Sequence, residues 1–113
     1  MRMSVVIGSV LAAIAITPAA PAAADVDTDF ANQLHTHGIY GQRDYNVWLG
    51  KLTCKRLATQ LDRNAFDSAS FLSTNLPRTT TTDQTWQFLG AAISTYCPDQ
   101  TPTLQAAAAP TNR

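Results

Sequence analysis

Apolar residues recur along the chain at intervals of three and four, and polar runs break that rhythm into segments of helical length. The first segment, "DVDTDFANQLHTHGIYG", opens on aspartates and closes on glycine. Asp27 or Thr28 can accept hydrogen bonds from the free amides of a first turn, Asp29 suits the positive end of a helix, and Phe30 and Leu34 stand one turn apart. Gly38 followed by Ile39 fits a left-handed helix stop with an apolar contact folding back. The pattern predicts a first helix over Thr28 to His37.

The longest periodic stretch is "RDYNVWLGKLTCKRLATQLDRN". Val47, Gly50, Cys54, Leu57 and Leu61 line one face, Lys51, Lys55 and Thr59 lie towards another, and Asp44 is the predicted N-cap. A glycine inside a helix costs about 1 kcal/mol relative to alanine, so Gly50 points to close approach of another helix. A shorter third helix follows in "NAFDSASFLSTNLP", capped by Asn64, with Phe66, Ala69 and Leu72 inward and a break at Pro77. In the last segment Thr81 with Gln84 forms a capping box, Trp86, Leu89, Ile93 and Cys97 repeat at helical spacing, and Pro98 stops the helix. No segment shows sustained β alternation and none repeats another. The predicted fold is all-α, a small four-helix domain over residues 25–98.

The two ends of the chain read differently. Arg2, an apolar run from Ser4 to Ile16, and the small residues "AAPAAAD" make the three-part pattern of a secretory signal peptide, with Ala22 and Ala24 placing the cut before Asp25. The run is shorter than the roughly 20 apolar residues of a membrane helix, so no integral span is expected once residues 1–24 are removed. The expected location is secreted or at the cell envelope. After Pro98 the chain holds Pro, Thr, Ala and Gln with little to bury, and residues 99–113 read as a disordered tail.

A domain this small is often held by a covalent staple. Cys54 and Cys97 are the two cysteines, an even pair in an exported chain where disulfides persist. Both sit on apolar helix faces, so a bond would tie helix two to the end of helix four through the core, with Sγ atoms about 2.05 Å and Cα atoms about 5.5 Å apart. Closing a loop of this length is expected to contribute roughly 4 kcal/mol. A reactive thiol would need a neighbouring base, and the sequence marks none.

Phe30 and Leu34, then Gly38-Ile39-Tyr40, then Gly50 with Cys54 and Leu57, then Trp86, Phe88, Leu89 and the closing Tyr96-Cys97-Pro98 together resemble the small secreted mycobacterial proteins grouped as domain of unknown function 732. The resemblance covers about Phe30 to Pro98. It implies a compact helical domain with one disulfide, and it implies no activity. Where members often have a glycine after the second helix, this chain runs through Leu61-Asp62-Arg63 into Asn64, which tolerates a left-handed conformation. The helix-two opening "RDYNVW" is bulkier than usual.

Charge and chemistry narrow the function classes. All eight acidic residues are aspartate, and with Arg2 removed they face seven basic ones, so nothing attracts nucleic acid as a basic groove would. Asp25, Asp27 and Asp29 reproduce the first half of a calcium loop, but Phe30 stands where the loop needs glycine and Thr36 where it needs a bidentate glutamate. His35 and His37 are turned about 200° apart on a helix and cannot share a metal as an i, i+4 pair would. Ser68, Ser70 and Ser73 follow no nucleophile motif, so no catalytic residue, metal site or cofactor is assigned.

What remains is a surface. Lys51, Lys55, Arg56 and Arg63 make the second helix basic on its outer side, and Tyr40, Tyr45 and Trp48 cluster near its start. Tyr40, Tyr45, Trp48, Lys51 and Lys55 are therefore the candidate interaction residues. The Thr79 to Thr82 run, with Thr101, Thr103 and Thr111 beside prolines, has the composition of O-glycosylated segments as well as of loop and tail. The expectation is a non-catalytic interaction or accessory module at the envelope or outside the cell, with an envelope or extracellular protein, or lipid, as partner. The alternative is a carrier of a small apolar ligand between helices.

Overall fold

The computed structural model describes residues 22–109. The apolar run of the predicted signal peptide and Thr111 lie outside them. The described chain is helical: α1 (Ala22–Thr36), α2 (Arg43–Ala58), α3 (Ala65–Asn75), α4 (Thr82–Tyr96), a 3-10 turn (Pro98–Gln100) and α5 (Thr101–Ala108), with no strand among the described residues.

The first helix starts at Ala22 rather than Thr28. Alanine is the strongest helix former, and Asp25 in the first turn complements the positive helix end. Its stop is as expected: Gly38 is left-handed at φ 74°. The amide of Ile39 donates to Leu34 O at 2.9 Å and that of Gly38 to His35 O at 3.0 Å. These two bonds are those of a Schellman cap.

The second helix begins at Arg43 with Gln42 as N-cap, so Asp44 lies in the first turn and pairs with Arg43 at 3.2 Å instead of capping. It ends at Ala58, and the left-handed residue that turns the chain is Gln60 (φ 64°) rather than Asn64. Asn64 is extended and caps α3 by accepting from the Asp67 amide at 2.9 Å. Because the helix stops before residue 61, Leu61 leaves the apolar stripe and is 64% exposed.

In α3 the inward face is Ala65, Ser68, Ala69 and Leu72. Phe66 lies about 100° round from Ala65 and points out, 58% exposed, its ring edge-on to half-buried Trp86 at 5.4 Å. The expectation that Phe66 faces the core is corrected on that ground: i, i+3, i+4 and i+7 counted from Ala65 give Ser68, Ala69 and Leu72, and Phe66 falls outside that stripe. The fourth helix carries the predicted capping box, with both Thr81–Gln84 bonds made. Leu89, Ile93 and Cys97 are buried together with Phe88 and Ala92.

α4 is the central element, packed against α1, α2, α3 and α5. Phe30, Leu34, Leu49, Leu57, Leu72, Phe88 and Leu89 form the fully buried centre of the core. Gly50 is where α2 meets its neighbours most closely. A Cβ there would lie 2.9 Å from Phe30 Cζ and 3.3 Å from Tyr96 Cε2. The Cys54–Cys97 disulfide is present, with Sγ atoms 2.04 Å and Cα atoms 5.8 Å apart, and both residues are buried.

Of the expected disordered tail, residues 99–108 are instead helical, and residues 110–113 lie outside the described residues. Pro98 and Pro102 occupy first-turn positions, where a missing amide costs nothing, and the alanines that follow favour helix. Leu104 and Ala107 then pack on the core, with Leu104 Cδ2 lying 3.8 Å from where a Cβ on Gly90 would stand. Having little apolar surface to bury does not leave a segment unstructured when its alanines favour helix and one leucine reaches the core.

Candidate functional site

The α1–α2 loop and the first turns of α2 bring three of the predicted residues to one end of the bundle. Tyr40 is 65% exposed, Tyr45 38% and Trp48 53%. Each tyrosine is braced on one side by another ring: His35 lies 5.0 Å from Tyr40 and Trp48 lies 5.6 Å from Tyr45. The Tyr45 hydroxyl donates to Asn75 O at 2.8 Å, fixing α2 to the end of α3. Buried Asn46 donates from Nδ2 to Tyr40 O at 3.4 Å. Gln84, already engaged in the α4 cap, donates from Nε2 to His37 O at 3.1 Å. The loop that carries Tyr40 is thus held from two helices.

Lys51 and Lys55 extend this face along α2. With Trp48 and Leu52 they line a shallow hollow of about 270 Å³. Lys55 is exposed, but Lys51 also turns towards the body of the protein, 3.5 Å from Asp27 and 5.5 Å over the Tyr96 ring. The Tyr96 hydroxyl donates to Asp27 Oδ1 at 2.6 Å. Burial first, and then the hydrogen bond and the charge of Asp27, push the Tyr96 phenol above its ordinary value. Asp27 therefore joins α1 to α2 and α4, a role the aspartate cluster did not announce; Asp25 and Asp29 stay exposed.

A second polar group was missed in the sequence. Asp62 is 2% exposed and accepts from Arg56 Nε at 3.1 Å, from Arg56 Nη2 at 2.9 Å and from Ser68 Oγ at 3.0 Å. The Arg56 guanidinium also lies 3.9 Å from the Phe71 ring centroid. The sequence places Arg56 on the basic outer side of the second helix and marks Ser68 only as a serine outside any nucleophile motif. Their pairing depends on the left-handed turn at Gln60, which carries the chain back so that Asp62 meets Arg56. An arginine six residues before a lone aspartate is too weak a sequence signal to find it.

No group of three or more metal-ligating side chains converges among the described residues. Nor is any described helix long and apolar enough to cross a membrane. Four hollows among the described residues are open surface depressions of about 270–430 Å³.

Two uncharacterized proteins of Mycobacterium tuberculosis, from two strains, are each 50% identical to the chain over 107 residues, covering 94% of this chain and 94% of theirs. No solved structure matches it. The model of the family described as "Protein of unknown function (DUF732)" matches residues 25–99, which hold the four predicted helices and both cysteines, and the chain belongs to that family.

Proposed function

We propose that the protein is an exported, non-catalytic interaction module that works at the cell envelope or outside the cell, contacting its partner through the Tyr40, Tyr45, Trp48 and Lys55 face. The observation that carries this reading is the exposed tyrosine and tryptophan cluster on a disulfide-stapled frame. Large aromatic rings left in water, and held rigid by neighbours, are the residues that anchor interfaces, because little side-chain entropy is lost when they are covered. Export is supported by the amino-terminal pattern and by a buried disulfide, which persists in an oxidising compartment. Lys51 is a supporting member, since its ammonium group is shared with Asp27.

The test is a photo-crosslinking amino acid placed at position 48 in protein expressed with its leader in a mycobacterial host, with position 105 as control. A discrete adduct in the culture medium or envelope fraction from position 48, absent from position 105, is the expected result. Retention of the whole chain in the cytoplasm, or the same diffuse adducts from both positions, would overturn the reading.

A further inference from the structure

Two adjoining hollows lie between the α1–α2 and α3–α4 loops, about 340 and 320 Å³ in volume, and share Tyr40, Gly41 and Pro77. Each falls at the lower end of the roughly 300–1,000 Å³ range of small-molecule sites. No charged residue lines either one. The hollow at the α2–α3 corner, by contrast, is lined by Arg56, Asp62 and Asp67, and the one beside Trp48 by Lys51 and Lys55.

An uncharged lining restricts the ligand. A charged molecule entering it would lose hydration with no opposite charge to replace it. A wholly apolar one would cover the amides and hydroxyls of Gln42, Thr79 and Thr80 and leave them without partners. The chemistry that meets both conditions has apolar C–H faces edged by many neutral hydroxyls, which is that of a pyranose ring.

The walls fit that description in detail. Tyr40 and Tyr45 each have one ring neighbour, His35 and Trp48 respectively, and each remains open to solvent elsewhere. A sugar's C–H face packs on an aromatic face, and its hydroxyls exchange hydrogen bonds with amide and hydroxyl side chains. Among the described residues, the Tyr40 hydroxyl and the side chains of Gln42, Thr79 and Thr80 make no hydrogen bond to protein, while Tyr45 and Gln84 are fixed by theirs. The groove thus combines pre-ordered stacking surfaces with uncommitted donors and acceptors, which lowers the ordering cost of binding.

We infer that this groove binds a neutral glycan, with Tyr40 and Tyr45 as stacking platforms and Gln42, Thr79 and Thr80 as hydrogen-bonding groups. This rests on the reading of the protein as a binding module and names a ligand class for its aromatic end. The experiment is titration of the disulfide-intact protein with maltohexaose, cellohexaose and mannohexaose, followed by tryptophan fluorescence and backbone amide shifts. At least one sugar should bind saturably, with shifts centred on Tyr40, Gly41, Gln42 and Thr79. Tyr40→Ala should weaken that binding about tenfold, as loss of an anchoring ring does, and Phe66→Ala, at an exposed ring on α3, should leave it unchanged.

Absence of saturable binding to all three sugars, or equal binding by Tyr40→Ala, would overturn the inference. So would shifts that map to another face, or binding of decaproline at the groove with no response to the sugars. A position-48 adduct with a protein, obtained alongside failed sugar titrations, would leave the interaction-module reading standing and remove only the glycan.

Discussion

At the α2–α3 corner an arginine lies over the Phe71 ring while both oxygens of a buried aspartate are taken up by Arg56 and Ser68. At the opposite end, Tyr40 and Tyr45 present rings with no cation over them, beside amides and hydroxyls that face water. Both regions join two helices to a loop, and both combine aromatic with polar side chains. They differ in whether the polar groups find their partners within the chain. A satisfied, desolvated network resists removal of any member, because the partner is left buried and unpaired. An unsatisfied, exposed set contributes little to folding and is available to bind. Substitutions should therefore separate the two regions by which property they lose, stability at the corner and binding at the open end.

The largest effect is expected at the disulfide. It closes a loop across a sequence separation of 43 residues, and both sulfurs are buried. Cys97→Ser should lower stability by about 2 to 5 kcal/mol in urea unfolding, enough to leave much of a domain this small unfolded at 37 °C. Native protein should resist maleimide until reduced and denatured; rapid labelling of two thiols without reduction would break the account.

Next comes the corner. Asp62→Ala should lower stability by about 2 to 4 kcal/mol, because it strands the half-buried Arg56 and the buried Ser68 hydroxyl. A shift in the urea midpoint no larger than that of Tyr40→Ala would erase the contrast between the two regions.

A smaller, pH-dependent effect is expected at Tyr96. The folded chain holds its phenol proton more tightly than the unfolded chain, whose tyrosine titrates near 10. Above that pH the folded state binds more protons, so the contribution is complete below pH 10 and is lost as pH rises beyond it. Thermal melts of wild type should fall more steeply above pH 10 than those of Tyr96→Phe. Parallel declines would show that the Tyr96 phenol is not the cause.

The smallest stability effects belong to the open end. Tyr40→Ala and Trp48→Ala should each change unfolding free energy by only about 0.5 kcal/mol, since more than half of each residue is already in water. A loss as large as that of Asp62→Ala would make these rings part of the frame rather than of a binding surface.

Much of the frame is legible along the chain because its signals are local. The Gly38-Ile39 stop, the Asn64 cap and the Thr81–Gln84 box each act within about one helical turn, and each forms as read. Gly50 was legible too: a glycine amid strong helix formers marked the place where the Phe30 and Tyr96 rings press in. The candidate rings Tyr40, Tyr45 and Trp48 were found by composition, but their bracing by His35 and by Asn75 was not, since those partners lie on other elements.

By itself, then, the sequence determined the all-helical class, the four main helices, the pairing of its two cysteines and, through its landmark residues, the family. The class, the helices and the pairing follow from helix caps, from a period of 3.6, and from there being a single way to pair two sulfurs. The tertiary structure alone decided the rest. It docked α5 on the core through Leu104 and made Gln60 the left-handed residue. It also tied Asp27 to Tyr96 across 69 residues and to Lys51 across 24, and set the α1–α2 and α3–α4 loops side by side around an uncharged groove. Contacts at such separations carry no local pattern, because only the packing of the helices brings their side chains together.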